Sequence, residues 1–148
     1  MVIAHFKADF RETAAALAKF KAAARQALYR QAGFIRTTAK NSMKAGRPSQ
    51  PSRPGEPPHS ITGLLKKFLF FSWDSLQQSA VIGPAAFKAR AVTPRLLEEG
   101  GQEQARVCVG RLRVRKQVTI APRPYMAPAL HASQKKLPDY WANSIKGA

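Results

Sequence analysis

Three histidines, one cysteine and one pair of adjacent acids are the side chains from which this sequence could build a reactive site. His5, His59 and His131 lie far apart, and none has a partner at metal-ligand spacing. His59-Ser60 joins a base to a hydroxyl, but adjacent residues seldom face each other productively, and no acid is placed to orient the imidazole. Glu98-Glu99 has the residue types for acid–base work, but a helix cap or a surface pair is the more ordinary role and the one expected. Cys108 alternates with Val107 and Val109, as a small strand residue does. No glycine loop of a phosphate-binding type is present. The expectation is a protein that is not an enzyme and holds no metal or cofactor.

Cationic chemistry is the stronger signal. Lysine and arginine number 25 against 8 acids, a net charge of +17. Residues 13–55 carry basic side chains at 19, 21, 25, 30, 36, 40, 44, 47 and 53 and no acid, and residues 104–138 are also free of acid. Such a surface attracts polyanions, either nucleic acid or the acidic face of a protein, and solubility alone would need a smaller excess.

Within that surface, residues 111–120 alternate. Leu112, Val114, Val118 and Ile120 share one face of a strand; Arg111, Arg113, Arg115, Gln117 and Thr119 share the other. Side chains on one strand face stand roughly 7 Å apart, close to the phosphate spacing along one DNA strand. Arg111, Arg113 and Arg115 are therefore candidates for contact with DNA or a protein partner, beside the plainer role of a solvated strand face. Arg47 and Arg53 join them. No base-reading motif accompanies the row, so any DNA contact would run through the backbone without sequence preference.

The elements that must position these residues can be read in outline. Residues 4–44 predict one long helix, because Phe6, Phe10, Leu17, Phe20, Ala24, Leu28 and Ile35 fall within about 40° of one line. Arg11, Lys19, Arg25, Arg30, Arg36, Lys40 and Lys44 fall on the far side. A rod roughly 60 Å long is too long for one small domain to cover, so either Gly33 breaks it or one end projects onto another subunit. Residues 64–74 predict a strand buried on both faces, and 79–87 its hairpin partner, with a turn over 74–78 and Gly83-Pro84 ending the pairing. Residues 88–104 are expected as a connection. The opposed phase of Val107 and Val109 suggests a bulge or turn at Gly110. Leu130, Leu137, Trp141 and Ile145 mark a C-terminal helix that Pro138 breaks or restarts. The expected fold is α+β: a long N-terminal helix packed on a small antiparallel sheet, with a C-terminal helix, in a single domain over residues 1–148.

Residues 46–63 form a proline-rich arm within that domain. Five prolines fall between Arg47 and Pro58, which excludes a helix interior or a central strand. Hydrophobic residues make up 45% of the chain, the ordinary globular proportion. One cysteine forms no internal disulfide and suits a reducing cytosol. The first ten residues lack the apolar core of a signal peptide, and the longest apolar run, LLKKFLFFSW, is too short to span a bilayer. The chain is expected to be soluble when made, without a membrane partner.

Four segments, in order, resemble the tail-component proteins of tailed bacteriophages. Gly55-Glu56-Pro57-Pro58 with Thr62-Gly63-Leu64-Leu65 is similar to their proline loop and Thr-Gly-Leu entry to a strand. Val81-Ile82-Gly83-Pro84 is similar to the strand that follows. Thr93-Pro94-Arg95-Leu96-Leu97-Glu98 with Gly100-Gly101 resembles their Leu-Glu-Phe-Gly segment, with Glu99 in the aromatic's place. Arg123-Pro124-Tyr125-Met126-Ala127-Pro128-Ala129-Leu130 resembles their closing Arg-Pro-Phe-Met-x-Pro-Ala-Leu before a terminal helix, the one in which Trp141 lies. The resemblance spans about residues 46–146. It implies a structural virion protein of the head–tail connection: a neck, tail-completion or minor tail protein with a tail-terminator-like fold.

Such proteins assemble as rings, usually of six, between head-completion and tail-terminator or tail-tube proteins, around the channel that DNA traverses. They are made in the host cytoplasm and bring no cofactor. In that setting Pro54, Gly55, Glu56, Pro57 and Pro58 form a stiff loop pre-ordered to dock on a neighbouring subunit, mobile until it does so. The alternative is a monomeric basic accessory protein that binds nucleic acid without sequence preference.

Overall fold

The computed structural model describes residues 10–47, 49–85, 92–109 and 112–142. Nine elements follow in order: α1 (Phe10–Ser42), α2 (Leu64–Lys67), β1 (Leu69–Asp74), β2 (Ser79–Pro84), α3 (Val92–Glu99), β3 (Gly101–Val109), β4 (Leu112–Ile120), α4 (Met126–Gln134) and α5 (Leu137–Ala142). The fold is α+β, with a long N-terminal helix, small antiparallel sheets and helices at the C-terminal side. The strands form two separate two-stranded sheets, β1–β2 and β3–β4, where the sequence suggested one.

The helix α1 runs unbroken for 33 residues, about 50 Å. Gly33 does not interrupt it: the glycine is helical, and a Cβ there would meet nothing within 4 Å. Gly33→Ala should therefore raise stability by about 0.5–1 kcal/mol, because alanine loses less backbone entropy on folding. A thermal melt checks this, and a fall in Tm would mean a neighbour contests the site.

Only the C-terminal half of α1 is covered. Ala23, Ala27, Ala32, Ile35, Ala39 and Met43 are buried, whereas every residue from 13 to 22 is exposed. The β1–β2 hairpin packs on one side of the helix and α4 with α5 on another. Ile35, Ala39 and Met43 meet Leu69, Tyr125 and Ala129 in a small core, with Leu65, Ile82, Leu97 and Met126 around it. The basic line of the helix is not wholly solvated. Arg36 is half-buried, its Nε donating to the Leu69 carbonyl at 2.7 Å and its guanidinium 5.9 Å from the Phe70 ring. Partial burial and the Arg36 charge hold the Lys40 ammonium below its ordinary pKa.

Several local expectations are corrected. Residues 64–67 form one helical turn rather than the start of a strand, because Gly63 adopts a left-handed backbone (φ 73°) and accepts the Lys67 N–H. The strand β1 is covered on one face only: Leu69 is buried, while Phe70 on the other face is exposed. The 74–78 turn forms as expected, with Asp74 Oδ1 accepting from the Leu76 and Gln77 amides. Residues 92–99, expected in a connection, are helical, and 101–104 belong to β3. In α4 the buried line is Tyr125, Ala129 and Ser133 rather than Leu130, which is exposed, and Trp141 is only partly buried. Ile145 lies outside the described residues. Pro138 sits in the first turn of α5, where its missing N–H costs nothing.

Candidate interaction surfaces

Three of the motif segments meet at one place. The carboxylate of Glu98, at the end of α3, accepts the backbone N–H groups of Tyr125 (3.0 Å), Met126 (3.1 Å) and Ala127 (2.8 Å) at the start of α4. Helix N-termini leave these donors without intrahelical acceptors, so an anion there is doubly favoured, by hydrogen bonds and by the helix dipole. The Arg123 amide donates to the Leu97 carbonyl at 2.6 Å, and its Nε to the Ser52 carbonyl at 3.0 Å. The Gly55 amide donates to the Pro122 carbonyl at 2.8 Å. Glu98 is thus a helix cap, as one reading of the acidic pair allowed, and Glu99 makes an exposed i,i+4 ion pair with Arg95.

Tyr125 fills the space beside this junction and is almost fully buried. Burial, and then the Glu98 charge, push its phenol pKa up to about 12. The folded chain therefore keeps a proton that the unfolded chain releases near pH 10. The stabilisation is complete below pH 10 and is lost as the pH rises towards 12, a loss of about 2–3 kcal/mol. The urea midpoint of wild type should fall relative to that of Tyr125→Phe between pH 9 and 12, since lysine titration is common to both and only the wild type has a phenol to ionise. Parallel curves would show an unshifted phenol.

The junction also holds the proline arm in place. Besides Ser52 and Gly55, the Ser60 amide donates to the Lys44 carbonyl at 2.7 Å, and His59 Nδ1 pairs with the Gln50 carbonyl at 3.0 Å. Pro58 is buried within its own chain. These anchors replace the expectation of a loop that waits for a neighbour to order it. Pro54, Gly55 and Glu56 remain on the surface, and Pro57 is partly covered. Thr62 and Leu64 are exposed, and Pro124 and Met126 are half-buried beside the junction.

The arginine row lies on a ribbon. β3 and β4 pair antiparallel from Gly101↔Ile120 to Val109↔Leu112, two strands roughly 30 Å long. Among the described residues the ribbon makes extensive contact only between its own strands. Antiparallel register accounts for the opposed phase of the valines, since Val107 pairs with Val114. Gly110 and Arg111 lie outside the described residues. Arg113 is in register with Cys108, and Arg115, exposed, is in register with Arg106. Val114, on the expected apolar face, is exposed as well. Arg47 and Arg53 are exposed on the arm. The arm meets the chain at Pro122, so Arg53 stands near the ribbon's foot and Arg115 about 17 Å along it.

A second bare surface is the first part of α1, where Leu17 and Phe20 are each 53% exposed. Phe10, on the same line of the sequence, begins the helix, and Phe6 lies outside the described residues. His131 is exposed, His5 lies outside the described residues, and no group of three potential metal ligands occurs among those described. No described helix is long and apolar enough to cross a membrane. The chain matches no protein-family model, no curated protein and no solved structure, so its surfaces and their chemistry are what bear on function.

Proposed function

We propose that this chain is a structural subunit of the head–tail connection in a tailed bacteriophage virion, a neck or tail-completion protein assembled as a ring, with six copies as the expected number. The observation that carries the reading is the pair of long extensions from a small core. The first turns of α1 leave Leu17 and Phe20 exposed, and among the described residues the β3–β4 ribbon makes extensive contact only between its own strands. Exposed apolar residues on an extended element gain stability when a neighbour covers them. Repeated around a ring, each extension would lie on the next subunit. The junction of Glu98, Arg123, Gly55 and Tyr125 supports the same reading, because the segments that resemble tail components pack together as one structural unit. The basic surface suits an acidic neighbouring ring or DNA in the channel.

The test is assembly. Light scattering should find a ring-sized oligomer, either alone or on mixing with head-completion and tail-tube proteins. Leu17→Ser/Phe20→Ser should abolish it while leaving the subunit folded, since both side chains are already exposed. A wild-type monomer that never assembles but binds nucleic acid would favour the accessory-protein reading instead.

A further inference from the structure

Where α1 leaves the β1–β2 hairpin, Lys21, Arg25, Tyr29, Ser72, Trp73 and Ser75 line an open groove of about 690 Å³. We infer that this groove is a binding site for the phosphates of a nucleic-acid backbone, with Lys21 and Arg25 holding the charge.

The geometry of Arg25 is the first reason. Tyr29 and Trp73 stack with centroids 5.8 Å apart and planes 18° from parallel, and the Arg25 guanidinium lies 5.5 Å from one ring centre and 5.4 Å from the other. Two aromatic rings thus fix a flat, five-donor cation at the wall of the groove. Its one hydrogen bond among the described residues, to Tyr29 Oη, is long at 3.5 Å, which leaves its other donors available to an oxyanion there.

The second reason is the absence of a counter-charge. Lys21 lies one helical turn before Arg25, which puts the two side chains about 5–6 Å apart at Cβ. Residues 13–55 contain no acid, and the only ion pair among the described residues is Arg95 with Glu99. Two cations therefore line the groove with no ion pair to either among the described residues, beside the hydroxyls of Ser72 and Ser75; Asp74, between Trp73 and Ser75, turns its Oδ1 to the Leu76 and Gln77 amides. One carboxylate would be satisfied by the guanidinium fork alone. Cations one turn apart with neutral donors beside them suit successive phosphates of one strand. The groove is open rather than closed, as a polymer requires.

Trp73 reports on the site directly. In a Trp141→Phe background it is the sole tryptophan. Titration with a short oligothymidylate should change its emission. Log affinity against log salt should lose about 1.5 units of slope in Lys21→Gln/Arg25→Gln, because single strands release about 0.7 counterion per neutralised phosphate. Lys19→Gln/Arg30→Gln makes the same charge change about 150° around the helix and should leave the Trp73 response intact. Lys21→Gln alone, an exposed position outside the stack, should lose about 0.7 and keeps the test valid if removing Arg25 loosens the hairpin. Equal effects from the two double variants would overturn the site. So would polyglutamate competing as well as the oligonucleotide at equal charge. Ring formation is read separately by light scattering, so failure here and failure of the assembly reading are distinguishable.

Discussion

Glu98→Ala should cost the fold about 3–5 kcal/mol, measured as a lowered urea midpoint with an unchanged m-value. A single carboxylate serves three backbone donors at the start of α4, and Tyr125 and Ala129, both fully buried, hang from that start. Hydrogen bonds to a charged group contribute about 1.5–3 kcal/mol each, and the three here are coupled rather than additive. Alanine would leave the N-terminal amides of α4 without their acceptor and remove the favourable charge at the dipole's positive end. Glu98→Gln keeps one acceptor oxygen and should recover roughly half of the loss. A cost below about 1 kcal/mol for the alanine variant would show that water replaces the carboxylate and that α4 is held by packing alone.

Gly100→Ala is expected to be nearly as damaging, at about 2–4 kcal/mol. The residue ends α3 in a left-handed conformation (φ 75°), with its amide donating to the Leu96 carbonyl at 2.9 Å. A Cβ there would lie 2.9 Å from Pro122 Cδ, 3.0 Å from its nitrogen and 3.1 Å from the Ile120 carbonyl oxygen. Backbone atoms cannot swing aside as a flexible side chain can. Gly55→Ala is the informative partner, being left-handed (φ 83°) with nothing within 4 Å of its Cβ. It should lose only the conformational part, about 1 kcal/mol. Equal losses in the two variants would remove the steric share of the argument.

Much of this arrangement was legible in the sequence, for definite reasons. Residues 10–42 contain no proline and keep an apolar stripe at helical period, so α1 could be read directly. The turn at Asp74 is written in side-chain chemistry. What escaped is equally specific. Pro94 reads as a breaker but occupies the first turn of α3, where proline is tolerated. The first residues of β3 are Gly101, Gln102, Glu103 and Gln104, which carry no apolar alternation; three of the four are exposed. In α4 the buried line is made of Ala129 and Ser133, too small to outweigh Leu130 in a hydrophobic pattern. The motif residues could be named, but not their meeting: Glu98 and Tyr125 are 27 positions apart. The groove needed a helix residue, Tyr29, to find a strand residue, Trp73.

The position of α1 between the hairpin and the C-terminal helices also sets the order in which the chain can mature. Made first, α1 can take the β1–β2 hairpin once residue 84 has cleared the ribosome, but its other face has no cover until α4 and α5 emerge. Throughout that interval Ala39 and Met43 lack Tyr125 and Ala129, so the nascent chain holds half a core. A ribosome that stalls before residue 125 leaves a helix and a hairpin without the residue that joins them, a natural substrate for proteases. Quality control would thus act at the last stage of synthesis, when Tyr125 closes the fold.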